Sequence, residues 1–217
     1  MQNVEYTLAR KSANLEAKSI SDSASWFPFP TRELALKELS WDRYVMRIPE
    51  EDKERIVDLA WSKGERAAHM VFEESNGQSD FFQICKDVGM TIIKKDIDCV
   101  YGNQRYFSDY VSGTKEITLY EQSCALWAKQ NQLEPHEAQN LILMHEFFHV
   151  LETTRLGLTS KEYTVPLFTI GPFKLGKTGI HALSEIAAHA FTNTYYGLLN
   201  SSSGSNNVSD TGGSNDL

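Results

Sequence analysis

An α+β fold is predicted for this chain, with a small hairpin sheet packed on one buried helix and a second long helix after it. Three features of the sequence carry that expectation. Residues 101–120 are rich in Tyr, Phe, Val, Ile and Thr, and Ser112-Gly113-Thr114-Lys115 offers a turn between Arg105–Val111 and Glu116–Tyr120, which reads as a β-hairpin. In the helical pattern of Pro135–Arg155, Leu141, Ile142, Leu143, Met144, Phe147, Phe148, Val150 and Leu151 leave almost no polar face, the mark of a buried helix. Residues 180–199 are again helical, with alanines at 187, 188 and 190 that let a neighbouring helix approach closely.

The remaining elements follow in chain order. The first thirty residues are weakly patterned until Trp26-Phe27-Pro28-Phe29-Pro30, whose prolines favour an extended arm lying on the domain. Thr31 is placed to cap a short helix. Between Pro49 and Ser75 the apolar residues Ile56, Leu59, Ala60, Ala67, Met70 and Val71 recur at spacings of three and four, an amphipathic helix with a charged outer face. A further helix runs over about 80–88 and stops at Gly89, after which Met90-Thr91-Ile92-Ile93 reads as a strand. A helix over 122–130 precedes the buried one, whose first turn holds Pro135. Residues 157–179, with three glycines and two prolines between 166 and 179, read as an irregular crossover, and the Ser, Asn, Gly and Asp of 200–217 as a disordered tail.

At 217 residues and 41% hydrophobic content the chain can bury one sizeable core. Its formal charge of −8, without a Lys/Arg cluster, argues against a nucleic-acid partner. No signal-peptide pattern follows Met1, and the longest aliphatic stretch, Leu141 to Met144, is too short to span a bilayer, so a soluble cytoplasmic protein with no membrane partner is expected. Cys85, Cys99 and Cys124 are odd in number and widely spaced. They read as reduced, mostly buried thiols, with Cys124 as a metal ligand the lesser alternative.

The chemistry lies in His145-Glu146-Phe147-Phe148-His149. Helix positions four apart are rotated by only about 40°, so the two imidazoles project from one face and can share a Zn2+ ion. Glu146 sits where it can stay off the metal yet act as general base on a metal-bound water. Composition alone yields roughly 0.01 such patterns by chance in a chain of this make-up. The apolar setting adds to the case, because burying two imidazoles and a carboxylate is unfavourable unless a shared cation or hydrogen bonds satisfy them. Hydrogen-bonded core histidines are the bland alternative.

A hydrolytic zinc needs a third protein ligand and an open position. An HExxHxxGxxH continuation is excluded, since Glu152 and Arg155 stand where Gly and His are required. The preferred third ligand is Glu185 in Ser184-Glu185-Ile186-Ala187-Ala188-His189-Ala190-Phe191, with His189, one turn on, as the alternative ligand or as a group bonded to a ligand. Glu152 is either an acceptor for a ligand imidazole N–H or a solvated carboxylate at the helix end. His136-Glu137 mimics the motif but meets Asn140, so it reads as an exposed pair; His69 and His181 are uncommitted. Tyr163, His181, Tyr195 and Tyr196 are candidate donors to an oxyanion, none of them preferred.

The helix over 81–89, the strand Met90–Ile93, the hairpin ending Ile117-Thr118-Leu119-Tyr120, the HEFFH helix and the later Glu185–Phe191 segment together resemble the ImmA/IrrE metallopeptidase family, over residues 78–199. The resemblance implies a zincin-like, gluzincin-type α+β domain over 78–199, in which a small β-hairpin sheet packs on the active-site helix. A C-terminal helix supplies the last ligand. His145, His149 and Glu185 would bind zinc and Glu146 would be catalytic. This domain follows an arm (1–30) and a helical region (31–77) that the resemblance does not cover. Family members are site-specific peptidases acting on proteins, several of them on helix-turn-helix transcriptional repressors. Two departures stand out: many relatives carry a second acidic residue where this chain has Ala187, and the crossover over 157–179 is longer than usual.

The expected function is therefore a zinc-dependent peptidase using metal-activated water, with the hairpin edge at Glu116–Tyr120 placed to hold an extended peptide by strand addition. The alternative is a catalytically inactive metal-binding module with a regulatory or protein-interaction role.

Overall fold

The structure, a computed structural model, describes residues 27–171 and 173–205. Six helices are found among them: α1 (Ala35–Ser40), α2 (Glu50–Glu74), α3 (Phe81–Asp87), α4 (Glu121–Gln130), α5 (Pro135–Leu151) and α6 (Ala182–Ser205). The strands are β1 (Thr91–Lys95), β2 (Cys99–Tyr101), β3 (Gln104–Tyr106), β4 (Ser108–Val111), β5 (Glu116–Tyr120), β6 (Thr164–Ile170) and β7 (Phe173–Gly179). The fold is α+β. The start of the expected arm, up to Trp26, and the tail from 206 lie outside the described residues.

The main sheet has the order β1-β5-β4, with β1 parallel and β4 antiparallel to β5. The expected hairpin is present as β4–β5. However, β5 is its central strand rather than an edge, because β1 takes its other side, and the free edge next to α5 is that of β4. Asp80 starts α3 by accepting from the Phe82 and Gln83 amides, and Gly89 ends that turn at a φ of +79° that favours glycine. Thr31 does not cap the first turn through its side chain: its hydroxyl donates to the Glu33 carboxylate.

The largest departure from expectation is the segment over 157–179. Instead of an irregular crossover it forms the β6–β7 hairpin, in which Thr164 pairs with Gly179, Phe168 with Leu175 and Ile170 with Phe173. Its glycines and prolines hid a run of β-favouring residues. Gly171 adopts a positive φ in the turn between the strands, and Gly176 one within β7, where the pairing continues on either side. The last helix also carries on past the expected end at Leu199 to Ser205, with Ser201 and Ser202 hydroxyls bonded back to the Gly197 and Leu199 carbonyls.

One core joins the helical N-terminal region to the rest. Leu39, Val57 and Ala68 belong to the same buried cluster as Phe81, Ile117, Leu143, Phe148, Ile186 and Tyr195. The long α2 crosses α6 at Gly64, where an added Cβ would lie 2.1 Å from the Ala187 carbonyl oxygen and 2.7 Å from the Ala190 Cβ. The alanines of α6 thus serve the crossing with α2, and the turn of α6 that bears Glu185 and His189 is left to face α5. Gly64→Ala is expected to destabilise the fold by about 3 kcal/mol, because backbone atoms cannot yield as a side-chain tip would. Urea unfolding measures this, and an unchanged midpoint would mean the crossing is looser than drawn.

Candidate metal centre

The core of α5 is buried nearly all round, with every residue from Leu141 to Leu151 inside. Its polar members therefore need partners within the protein. His145 and His149 face α6, where Glu185 comes from the first turn. One ligand atom from each of the three lies within 4.8 Å of the others. The His145 Nε2 to Glu185 Oε2 distance is 3.4 Å, and His149 Nε2 to Glu185 Oε1 is 3.7 Å. His145 is 3% exposed, His149 2% and Glu185 6%.

Several atoms of this group are buried without any hydrogen bond: both ring nitrogens of His145, His149 Nε2, Glu185 Oε1 and Glu146 Oε2. A cluster of this kind is costly as bare protein and fits a metal ion, which would satisfy imidazole nitrogens and carboxylate oxygens together. Of the two candidates for the third ligand, Glu185 is the one in the group. His189 lies beside it, its ring centroid 5.0 Å from that of His145, but its Nδ1 is 2.9 Å from the Glu38 carboxylate of α1.

Glu152 ties the centre together. After Leu151 the helix widens into a π-type turn over Glu152–Leu156, where the Thr153 and Thr154 hydroxyls bond back to the carbonyls of His149 and Val150, and it ends at Gly157. Glu152 is 3% exposed. Its Oε2 lies 3.0 Å from His149 Nδ1, and its Oε1 accepts from the Thr159 amide at 2.7 Å and the Ser184 hydroxyl at 2.9 Å. It thus fixes the ring of one candidate ligand and the residue just before another. Of the two readings open to Glu152, the structure shows the imidazole-bonded one.

Glu146 points toward the sheet. The Ser108 hydroxyl on β4 donates to its Oε1 at 2.7 Å, leaving Oε2 without a partner. Burial pushes the Glu146 carboxyl up to about 7, opposed in part by the His149 charge and the Ser108 bond. Burial likewise lowers His145 to about 4. For His149 burial works in the same downward direction, but the Glu152 bond and the Glu185 charge outweigh it and raise the ring to about 9. Burial would raise Glu185, yet the close approach of His145 and the charge of His149 bring it down to about 2.

The other candidates lie away from the centre. Cys124 is buried with its thiol donating to the Phe107 carbonyl, His136 stacks on Phe82 at 5.1 Å, and His69 is exposed on α2. Tyr163 donates to Asp52 and Tyr195 to the Gln78 carbonyl, while Tyr196 packs on Phe27 at 4.7 Å. Of the four candidate donors only His181 is near, its Nδ1 3.9 Å from Glu185 Oε1. Sequence reasoning did not find Ser108, Glu38 or Phe29. The Phe29 ring lies nearly parallel over His145 at 5.6 Å and holds the end of the arm against the centre. Ser108 and Glu38 did not stand out locally, since Ser108 lies in Ser-Asp-Tyr-Val and Glu38 in Ala-Leu-Lys-Glu-Leu-Ser, both with polar neighbours.

Glu152→Gln keeps the shape of the side chain but removes the charge that holds His149. It is expected to weaken metal binding by about 10- to 100-fold, read by competition with a chromophoric chelator, with the circular dichroism spectrum unchanged. Unaltered affinity would show that Glu152 serves packing alone. Comparison of the chain with protein-family models, curated proteins and solved structures yields no match.

Proposed function

We propose that the protein is a zinc-dependent peptidase. The observation that carries this reading is the pairing of a buried His145/His149/Glu185 group with a neighbouring carboxylate, Glu146, that has one oxygen tethered and the other unbonded. Tetrahedral zinc with bonds of about 2.0–2.1 Å sets its ligand atoms roughly 3.4 Å apart; His145 and His149 approach the two different oxygens of Glu185 at 3.4 and 3.7 Å, and one ligand atom from each residue lies within 4.8 Å of the others. Mixed imidazole and carboxylate donors suit zinc over harder cations, which prefer all-oxygen sites. The resemblance to the ImmA/IrrE family in the arrangement of motifs supports the same assignment, and with it a regulatory protein, such as a transcriptional repressor, as the class of substrate.

Zinc held there would polarise a water and the scissile carbonyl. The chain's own residues do the rest. Glu146 Oε2 accepts the water proton and delivers it to the departing amine, and the Ser108 hydroxyl keeps the carboxylate aimed as it does so. Glu152 holds the His149 ring. The free edge of β4, which runs past Glu146, is the place for an extended peptide backbone. The unpaired thiols of Cys85, Cys99 and Cys124 support a reducing compartment, the cytoplasm.

A second reading, a metal-binding module without turnover, is favoured by one observation: the metal-facing atoms are shut off from solvent. Glu146→Gln separates the two. For a peptidase, cleavage of casein by the zinc-loaded protein should fall at least about 10²-fold in this variant while the bound metal is kept. Equal cleavage by both proteins would overturn the role of Glu146, and no cleavage by either would favour the binding module.

A further inference from the structure

The β6–β7 hairpin presents an apolar face that no described part of the molecule covers. Phe168 is 60% exposed, Phe173 70% and Leu175 53%. Phe168 stands opposite Leu175, and Phe173 lies two residues before Leu175 on the same face. The other face turns inward at its base, where Val165 is buried and Leu167 packs on Gly176. At the outer edge of the hairpin, Arg47 donates to the carbonyls of Pro166 and Leu167, while β7 has no second strand partner among the described residues. Contiguous large apolar side chains exposed in this way mark an interaction site.

Charge narrows the partner. From Tyr163 to Gly179 there is no acidic residue, in a chain whose formal charge is −8, and of the two lysines Lys177, opposite Pro166, shares the face of Phe168 and Leu175 while Lys174, opposite Thr169, stands on the other. Arg47 of a packed element lies on the hairpin, and the acidic groups at its base are already engaged: Glu162 pairs with Lys63 at 2.5 Å, and Asp52 with Arg55 and the Tyr163 hydroxyl. The face therefore suits an apolar segment that also carries acidic side chains. An anionic bilayer fits less well, since the acidic body would be repelled from it and lipid offers no partner for the bare strand edge of β7. Two-fold pairing with a second copy would bring the lysines of both hairpins together.

The hairpin is also continuous with the metal centre. Gly179 ends β7, the Ile180 amide then bonds the Ser160 carbonyl, and α6 begins at Ala182, one turn before Glu185. We infer that the β6–β7 hairpin is a docking face for an extended, apolar and acidic segment of the protein substrate. This rests on the peptidase reading only for the word substrate.

The test uses the full chain with Glu146→Gln, so that nothing is cleaved, and two fluorescein-labelled decapeptides, one alternating Val and Glu and one alternating Val and Lys. Anisotropy should show binding of the acidic peptide in preference to the basic one, weakened about tenfold or more by Phe168→Ser with Phe173→Ser and, separately, by Lys177→Glu. Because these side chains are exposed, thermal melting should not change, which guards against loss of fold. Binding unaffected by the substitutions, a preference for the basic peptide, or absence of peptide binding would overturn the inference. So would hairpin-dependent sedimentation with phosphatidylcholine–phosphatidylglycerol vesicles in place of peptide binding. Zinc content and casein cleavage of the wild-type chain, measured alongside, report on the peptidase reading separately. Peptide binding with neither would leave the docking face standing and the catalytic assignment refuted.

Discussion

Four ionisable side chains buried between α5, α6 and the sheet set the terms for the rest of the structure. His145, His149, Glu185 and Glu152 sit in an apolar interior where each would be unfavourable alone. They are tolerable because they face one another, and because Glu152 collects donors from three separate places: the His149 ring, the Thr159 amide and the Ser184 hydroxyl. That one carboxylate fastens the end of α5 to the start of α6, so the geometry of the centre and the packing of the two helices are one problem. The close crossing of α2 and α6 at Gly64 supports it from the other side by fixing the rotation of α6 about its axis.

On the proposed function, the same arrangement would separate two jobs that require opposite surroundings. Glu185 lies among imidazoles, which hold its carboxyl down at about 2, as suits a metal ligand. Glu146 is one residue from His145 yet points to β4, where burial dominates and its carboxyl rises to about 7, as suits a proton carrier. Neighbouring positions on one helix face different environments because successive residues are turned by about 100°. The sheet has a part in this, since Ser108 is the only protein group that holds the Glu146 carboxylate among the described hydrogen bonds.

Much of this was legible in the sequence because it depends on local periodicity. The two histidines and Glu146 follow from a spacing of four on an apolar helix, and Glu185 from a carboxylate amid small residues; the structure brings His145, His149 and Glu185 together. What was not legible depends on pairing across the chain. Strand β1 joins β5 in parallel from a distant segment, which turned an expected edge into the centre of the sheet. The hairpin over 164–179 was masked by glycines, one of which, Gly171, forms its turn while another, Gly176, lies within a strand that stays paired. Glu38 and Ser108 meet His189 and Glu146 from elements with no sequence relation to the motif. The alanines of α6 were rightly read as a close approach, but the helix they admit is α2, which the pattern around Glu185 could not reveal.

The central claim is that His145, His149 and Glu185 together hold one zinc ion. Elemental analysis of the full chain purified without chelators tests it most directly, set beside Glu185→Ala and His189→Ala. The account predicts about one zinc per wild-type chain, loss of the metal on changing Glu185, and retention on changing His189, which belongs to Glu38. Absence of zinc from the wild-type protein, or loss of the ion with His189 but not with Glu185, would contradict it.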